Sequence, residues 1–156
     1  YHIRPAVLGD VPGIRACNKL SLPENYNTRF LELYVKRWPR LSLVALDADD
    51  TLVAYTLGRV GDVNDHTYAA SETGFLTSIA VLPECRKLGV GNVLMQTLHD
   101  NMVSAHQLRS VSLHCSDSNQ QAIRFYMSLG YKIDEVLESY YEDRGTALLM
   151  KKDFLL

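Results

Sequence analysis

Arg86-Lys87-Leu88-Gly89-Val90-Gly91 stands between two runs of opposite periodicity, and that juxtaposition decides the fold. Upstream, the β-rich run Thr73 to Leu82 predicts a long strand. Downstream, Gly89 to about Ala105 carries Val90, Val93, Leu94, Thr97, Leu98 and Met102 at helical spacing. A strand therefore hands over to a helix through a short basic turn. Glycines let the backbone approach a ligand closely, and the first turn of a helix offers unpaired N–H groups at the positive end of its dipole. A pyrophosphate suits such a place, with Arg86 and Lys87 adding neutralising charge. Alone, the hexapeptide reads more readily as an ordinary strand-to-helix turn with solvated basic residues. It lacks the third glycine and the early position of a dinucleotide fingerprint, and it lacks the Gly-Lys-Ser/Thr of a P-loop.

Working outward, residues 2 to 5 read as a short strand, and Asp10 is placed to cap a helix carrying Val11, Ile14 and Cys17. That helix is expected to stop near Leu22-Pro23. Thr28 is placed to cap a second helix with Phe30, Leu31, Tyr34, Val35 and Trp38 on one broad face, ended by Pro39. Leu41 to Leu46 and Leu52 to Val60, joined by Asp47-Ala48-Asp49-Asp50, read as a hairpin. Gly61 to Ser71 is the expected irregular segment. Ser110 to Cys115 alternates, with Val111, Leu113 and Cys115 on one face and Ser112 and His114 on the other. Ser118 and Gln121 predict a capping box for a helix from Asn119 to Leu129, stopped by Gly130. Strands near Tyr131 to Val136 and Thr146 to Lys152 close an α+β or mixed α/β order, for which one central sheet with helices on both faces is the economical packing.

The 156 residues contain 16 Lys and Arg against 18 Asp and Glu, a net charge of −2, so the basic surplus needed for nucleic acid is missing. The length suits one domain over residues 1 to 156, since such a chain hides roughly 70% of its unfolded surface in one core. No apolar run approaches the roughly 18 residues of a membrane span, and residues 1 to 10 lack the apolar stretch of a signal peptide. The expectation is an intracellular, cytoplasmic protein with no membrane partner. Cys17, Cys85 and Cys115 are odd in number and widely spaced, which suits reduced thiols and neither a disulfide scaffold nor a metal site.

A second motif runs from Ser118 to Tyr131, with Ala122, Tyr126 and Leu129 on one helix face. Alone, it makes Tyr126 a packing residue with its hydroxyl at the rim. Together with the Arg86 to Gly91 turn, about thirty residues upstream, it resembles the acetyl-coenzyme A sites of the GCN5-related N-acetyltransferase (GNAT) superfamily. Within that superfamily the chain resembles the catalytic subunits of N-terminal acetyltransferases of the NatA type. Leu22-Pro23-Glu24-Asn25-Tyr26, Trp38-Pro39, Thr77-Ser78-Ile79-Ala80-Val81, Ser112-Leu113-His114, Ser118-Asn119 and Tyr140-Tyr141 carry that resemblance, from Ile3 to about Lys152. It implies a single mixed, mostly antiparallel sheet of about seven strands flanked by about four helices.

The resemblance further implies that the pantetheine arm pairs with the fourth strand around Ile79, Ala80 and Val81. The pyrophosphate would meet the N–H groups of Arg86, Lys87, Leu88, Gly89, Val90, Gly91 and Asn92, and Asn119 would touch the cofactor from the next helix. An α-amino group has a pKa of about 8, so a base must take a proton from it at neutral pH. His114 is the first candidate, by its ordinary pKa and its position off the apolar face; a structural histidine is the plain alternative. Glu24 is the second candidate, as base or orienting group, against the plain reading of a solvated turn carboxylate. Tyr126 matches the tyrosine beside the cofactor sulfur in relatives, where it would donate to the departing thiolate. Leu22, Pro23, Glu24, Tyr26, Tyr140 and Tyr141 would line the peptide channel. Cys115 faces away from His114 and Cys85 has no base partner, so direct transfer is expected over an acetyl-cysteine.

Two positions depart from the pattern. Ser116 stands where NatA-type relatives usually have arginine, and Phe75 where they have histidine. The leading expectation is acetyl transfer to protein N-termini, with a larger auxiliary subunit and ribosome association as implied partners. The alternatives are a lysine or small-molecule amine as acceptor, or a coenzyme A-binding module without turnover.

Overall fold

Two prolines set where the first helices end. Pro23 disfavours helical backbone in the residue before it, and Leu22 is extended (φ −134°), so α1 spans Val11–Ser21. Trp38 before Pro39 likewise leaves helical geometry, and α2 spans Thr28–Arg37. The computed structural model describes residues 1–61, 71–141, 143 and 145–155. Most of the segment expected to be irregular, 62–70, lies outside the described residues.

The strands are β1 (His2–Pro5), β2 (Leu43–Leu46), β3 (Leu52–Val60), β4 (Thr73–Val81), β5 (Ser110–Ser116), β6 (Lys132–Leu137) and β7 (Ala147–Asp153). Two further helices are α3 (Val90–His106) and α4 (Gln120–Ser128). The seven strands form one sheet in the order β1-β2-β3-β4-β5-β7-β6. Pairs β1–β2, β2–β3, β5–β7 and β6–β7 are antiparallel, whereas β4–β5 is parallel, with Thr73 opposite Ser110 and Leu76 opposite Leu113. Among the described residues no helix is long and apolar enough to cross a membrane.

The chain divides into two compact units, residues 1–59 with 77–106, and residues 60–76 with 107–156. In the first, Ile14, Leu31, Leu41, Leu43, Tyr55, Leu57, Leu94, Leu98 and Met102 are fully buried. The expected β2–β3 hairpin forms. Its turn is held by Asp47, whose Oδ1 accepts from Asp49 N at 2.8 Å and Thr51 N at 3.0 Å. In the second unit, β5 and β7 pair over their whole length around Val111, Leu113, Ala147 and Met150, each at most 1% exposed. Gly130 takes φ +98° after α4. The amides of Gly130 and Tyr131 return to Met127 O and Tyr126 O, the paired bonds of a Schellman stop.

The expected helix caps are corrected by the structure. Asp10 makes no side-chain cap to α1. Its carboxylate instead binds Val7 N at 2.8 Å and pairs twice with the Arg4 guanidinium, at 2.7 and 3.0 Å. Asn27, not Thr28, caps α2 by accepting from Phe30 N at 2.8 Å. Asn119 replaces the Ser118–Gln121 box by accepting from Ala122 N at 3.1 Å, while the Ser118 hydroxyl bonds that of Ser116. Asn27 already has the extended geometry of an N-cap (φ −81°, ψ 167°) and so outcompetes Thr28. On α3 the buried face is Val90, Leu94, Met95, Leu98, His99 and Met102, and Val93 is exposed.

Candidate active site

Each unit builds its own group of candidate side chains. In the first, the turn Leu22-Pro23-Glu24-Asn25-Tyr26 is held by Asn18, which is 0% exposed on α1. Asn18 Nδ2 donates to Glu24 O at 2.9 Å and to the Tyr55 hydroxyl at 3.1 Å. Its Oδ1 accepts from Tyr26 N at 3.1 Å. The Tyr55 hydroxyl in turn lies 2.9 Å from Ser78 Oγ on β4. The Tyr26 ring stacks on Phe30 at 4.8 Å with planes 10° apart, and the stack runs on through Tyr34 to Trp38. Tyr34 is anchored by Thr77, 2.6 Å between hydroxyls. Burial, with Glu24 nearby, pushes the Tyr26 phenol up to about 12, so it is a proton donor at neutral pH. The Glu24 carboxylate itself is exposed.

The same unit carries the glycine turn. Lys87 (φ +65°) and Gly89 (φ +86°) both take left-handed backbone before α3. A Cβ on Gly89 would meet nothing within 4 Å, so conformation and not crowding requires glycine there. The amides of Cys85 and Arg86 return to Leu82 O and Pro83 O, which leaves those from Lys87 to Asn92 without an acceptor among the described residues. This run of donors at the start of a seventeen-residue helix fits an anionic diphosphate. The Arg86 guanidinium is turned elsewhere: Nε donates to Val81 O at 3.1 Å and Nη2 to Ser21 O at 3.3 Å. Arg86 thereby ties the glycine turn to the ends of β4 and α1. Ile79 and Val81 are half-buried on β4 and Ala80 is buried.

In the second unit, His114 on β5 sits with its ring edge-on to Phe75 (5.4 Å, 73°) and tilted over Tyr140 (4.7 Å). Burial lowers its pKa below the ordinary imidazole value, opposed by Glu135, so the neutral base is the resting form. Tyr140 and Tyr141 stand at right angles, ring centres 5.2 Å apart, and both their amides bond Gly145 O. Tyr126 on α4 packs against Phe125 and, edge-on, against Tyr131. Burial, then Cys115, holds its hydroxyl far above the usual phenol range, so it stays protonated. Asn119 uses its Oδ1 as the α4 cap. Cys17, Cys85 and Cys115 are free thiols; burial raises Cys17 to about 11 and raises Cys115 as well.

Asn18 and Tyr55 escape a reading based on motifs, and Ser78 enters one only as part of the Thr77 to Val81 strand. Their signal is a polar residue at a core position: Asn18 continues the α1 face of Val11 and Ile14, and Ser78 lies inside a buried strand. A cleft of about 630 Å³ lined by His2, Arg4, Gly9, Asp10, Gly13, Leu46, Asp50 and Leu52 contains none of the candidate residues.

Residues 12–131 match the profile of the Acetyltransferase (GNAT) family. The chain belongs to that family. Within it, the chain is 36% identical over 152 residues to the catalytic subunit of the N-terminal acetyltransferase A complex of Arabidopsis thaliana, covering 97% of this chain and 77% of that one. Ard1 from Thermoplasma volcanium is similar in structure, with a TM-score of 0.85 at 26% identity, covering 99% of this chain and 98% of that one. Chaetomium thermophilum Naa20, solved in complex with a bisubstrate analogue, gives 0.84 at 26% identity, covering 99% and 87%. The single seven-stranded mixed sheet with four helices is the GNAT fold, and as a family member the chain is an acetyl-coenzyme A-dependent acyltransferase.

Proposed function

We propose that this acyltransferase moves acetyl from acetyl-coenzyme A to the α-amino group of protein N-termini by direct attack of the amine on the thioester. Curated relatives at 31–37% identity are named N-terminal or N-α-acetyltransferases, and this supports the acceptor. The family match runs through residues of both units, which supports residues 1–156 working as one acetyltransferase domain.

The observation that carries the donor side is the run of amides from Lys87 to Asn92, around the left-handed Gly89, that have no acceptor among the described residues. They hold the diphosphate, and the backbone of Ile79 and Val81 holds the pantetheine arm. Glu24 and Tyr26 receive the peptide from their turn, and Tyr140 and Tyr141 contact its first units. Acetyl-coenzyme A supplies an activated carbonyl with a thiolate leaving group. His114 Nε2 takes the proton that the α-ammonium gives up before attack. The Tyr126 hydroxyl donates its proton to the sulfur as the C–S bond breaks and regains one from the nitrogen, which sheds its second proton once the C–N bond has formed, so the products are an acetylated α-amine and free coenzyme A. Direct transfer is favoured because burial keeps Cys115 a thiol and not a thiolate. The relatives named as catalytic subunits of a complex support an auxiliary subunit as partner.

The test is a panel of short peptides differing in residue one, incubated with acetyl-coenzyme A while free thiol and acetylated peptide are measured. Free N-termini should react and N-blocked, lysine-containing peptides should not. The reverse pattern identifies a lysine acetyltransferase, and cofactor binding without either product identifies a module that has lost turnover.

A further inference from the structure

Asn18 is a fully buried polar side chain at a helical position where an apolar residue would pack, so its retention must be offset by the bonds it makes. Three of its bonds are satisfied: Glu24 O and the Tyr55 hydroxyl accept from Nδ2, and Tyr26 N donates to Oδ1. Two of the three clamp the backbone on either side of Asn25, fixing the spacing between Glu24 and Tyr26. The third passes through Tyr55, also 0% exposed, to Ser78 Oγ, one residue before Ile79. The relay thus runs from the Glu24–Tyr26 backbone through Asn18 and Tyr55 to Ser78 on β4.

We infer that Asn18, Tyr55 and Ser78 form a buried relay that positions the Glu24–Tyr26 turn for the acceptor peptide against strand β4. These are positioning residues. They bond one another and the main chain of the turn, and they act by holding the backbone of Glu24 and Tyr26. The inference rests on the reading of that turn as peptide-binding. A low local dielectric makes such a relay stiff when complete and costly when one member is missing, so a single hydroxyl matters. The aromatic stack from Tyr26 to Trp38 holds the ring of Tyr26 on Phe30, while the relay holds its amide.

Tyr55→Phe tests this with minimal change of shape, and Ser78→Ala removes the last member. With Tyr55→Phe, the KM for the peptide should rise about fivefold, the worth of one net hydrogen bond, while the KM for acetyl-coenzyme A stays within twofold. Hydrogen exchange of the Tyr26 amide should accelerate, with the amides of the β2–β3 hairpin unchanged. A loss of melting temperature with both KM values moving together would make the relay merely structural and overturn the inference. So would an unchanged peptide KM with unchanged Tyr26 exchange. If the wild-type protein acetylates no α-amine at all, the functional reading fails, whereas an active wild type with silent variants defeats the relay alone.

Discussion

His114 Nδ1 lies 3.1 Å from the Tyr140 hydroxyl, while Nε2 of the same ring is buried with no hydrogen-bond partner among the described residues. With Nδ1–H donating to the tyrosine oxygen, Nε2 carries the lone pair that a base needs. That bond also stabilises the imidazolium, because the donor strengthens when the ring is charged. Tyr140→Phe removes the acceptor and should lower kcat/KM for peptides by about fivefold to tenfold. The acid limb of the pH–rate profile should move to lower pH. A limb that moves upward would assign the opposite tautomer.

Burial holds the folded-state pKa of His114 below the ordinary value of about 6.5, with Glu135 pulling the other way. The imidazole therefore remains an available base somewhat below pH 6.5, and kcat/KM should fall only through the lowered pKa. The same shift has a stability consequence of definite sign. Below about 6.5 the unfolded chain binds a proton that the folded chain resists, so this group makes the fold progressively less stable as pH drops to the folded pKa. His114→Gln should abolish the acid limb and flatten that part of the stability profile. NMR titration of the imidazole checks the direction, and a pKa above 6.5 contradicts it.

Gly89 and Gly130 both take positive φ, yet substitution at each should be read out differently. At Gly89 a Cβ meets open space, so Gly89→Ala costs the left-handed strain of about 1–2 kcal/mol and disturbs the amides beside it. The KM for acetyl-coenzyme A should rise several-fold. At Gly130 a Cβ would lie 2.7 Å from Lys152 Nζ, which donates to Leu129 O at the end of α4. Gly130→Ala should lower the melting temperature without raising that KM selectively. Calorimetric titration with coenzyme A separates the two.

Patterns of spacing made the elements legible, and competition between adjacent polar residues hid the details. Pro23 and Pro39 mark helix ends because proline acts on its immediate neighbour. Asn27 and Asn119 could not be told from Thr28 and Ser118 as caps, since residues of both kinds accept from the same amides and only the backbone geometry chooses. At the site, His114 and Tyr140 were each named from the sequence, but their bond joins residues 26 positions apart and no local pattern encodes it. Arg86 flanks glycines and so reads, in sequence, as a phosphate neighbour; in the structure two backbone carbonyls take its guanidinium. Asn18 was invisible for the converse reason: its partners are backbone groups and a distant phenol, which leave no motif.

Tyr126 offers the sharpest test of the leaving-group assignment. Its ring is fixed between Phe125 and Tyr131, so Tyr126→Phe keeps the packing and deletes only the hydroxyl. Burial keeps that hydroxyl protonated throughout the working pH range, which makes it a donor and never a base. A donor to the departing sulfur gains strength only as negative charge develops there, so its loss should appear in kcat. The expected effect is a drop of about tenfold to a hundredfold, with the KM for acetyl-coenzyme A within twofold. A thioester with a more acidic thiol leaving group needs less help, so the deficit should shrink with such a donor. An equal deficit with both thioesters, or a loss confined to KM, would show that the hydroxyl only shapes the binding surface.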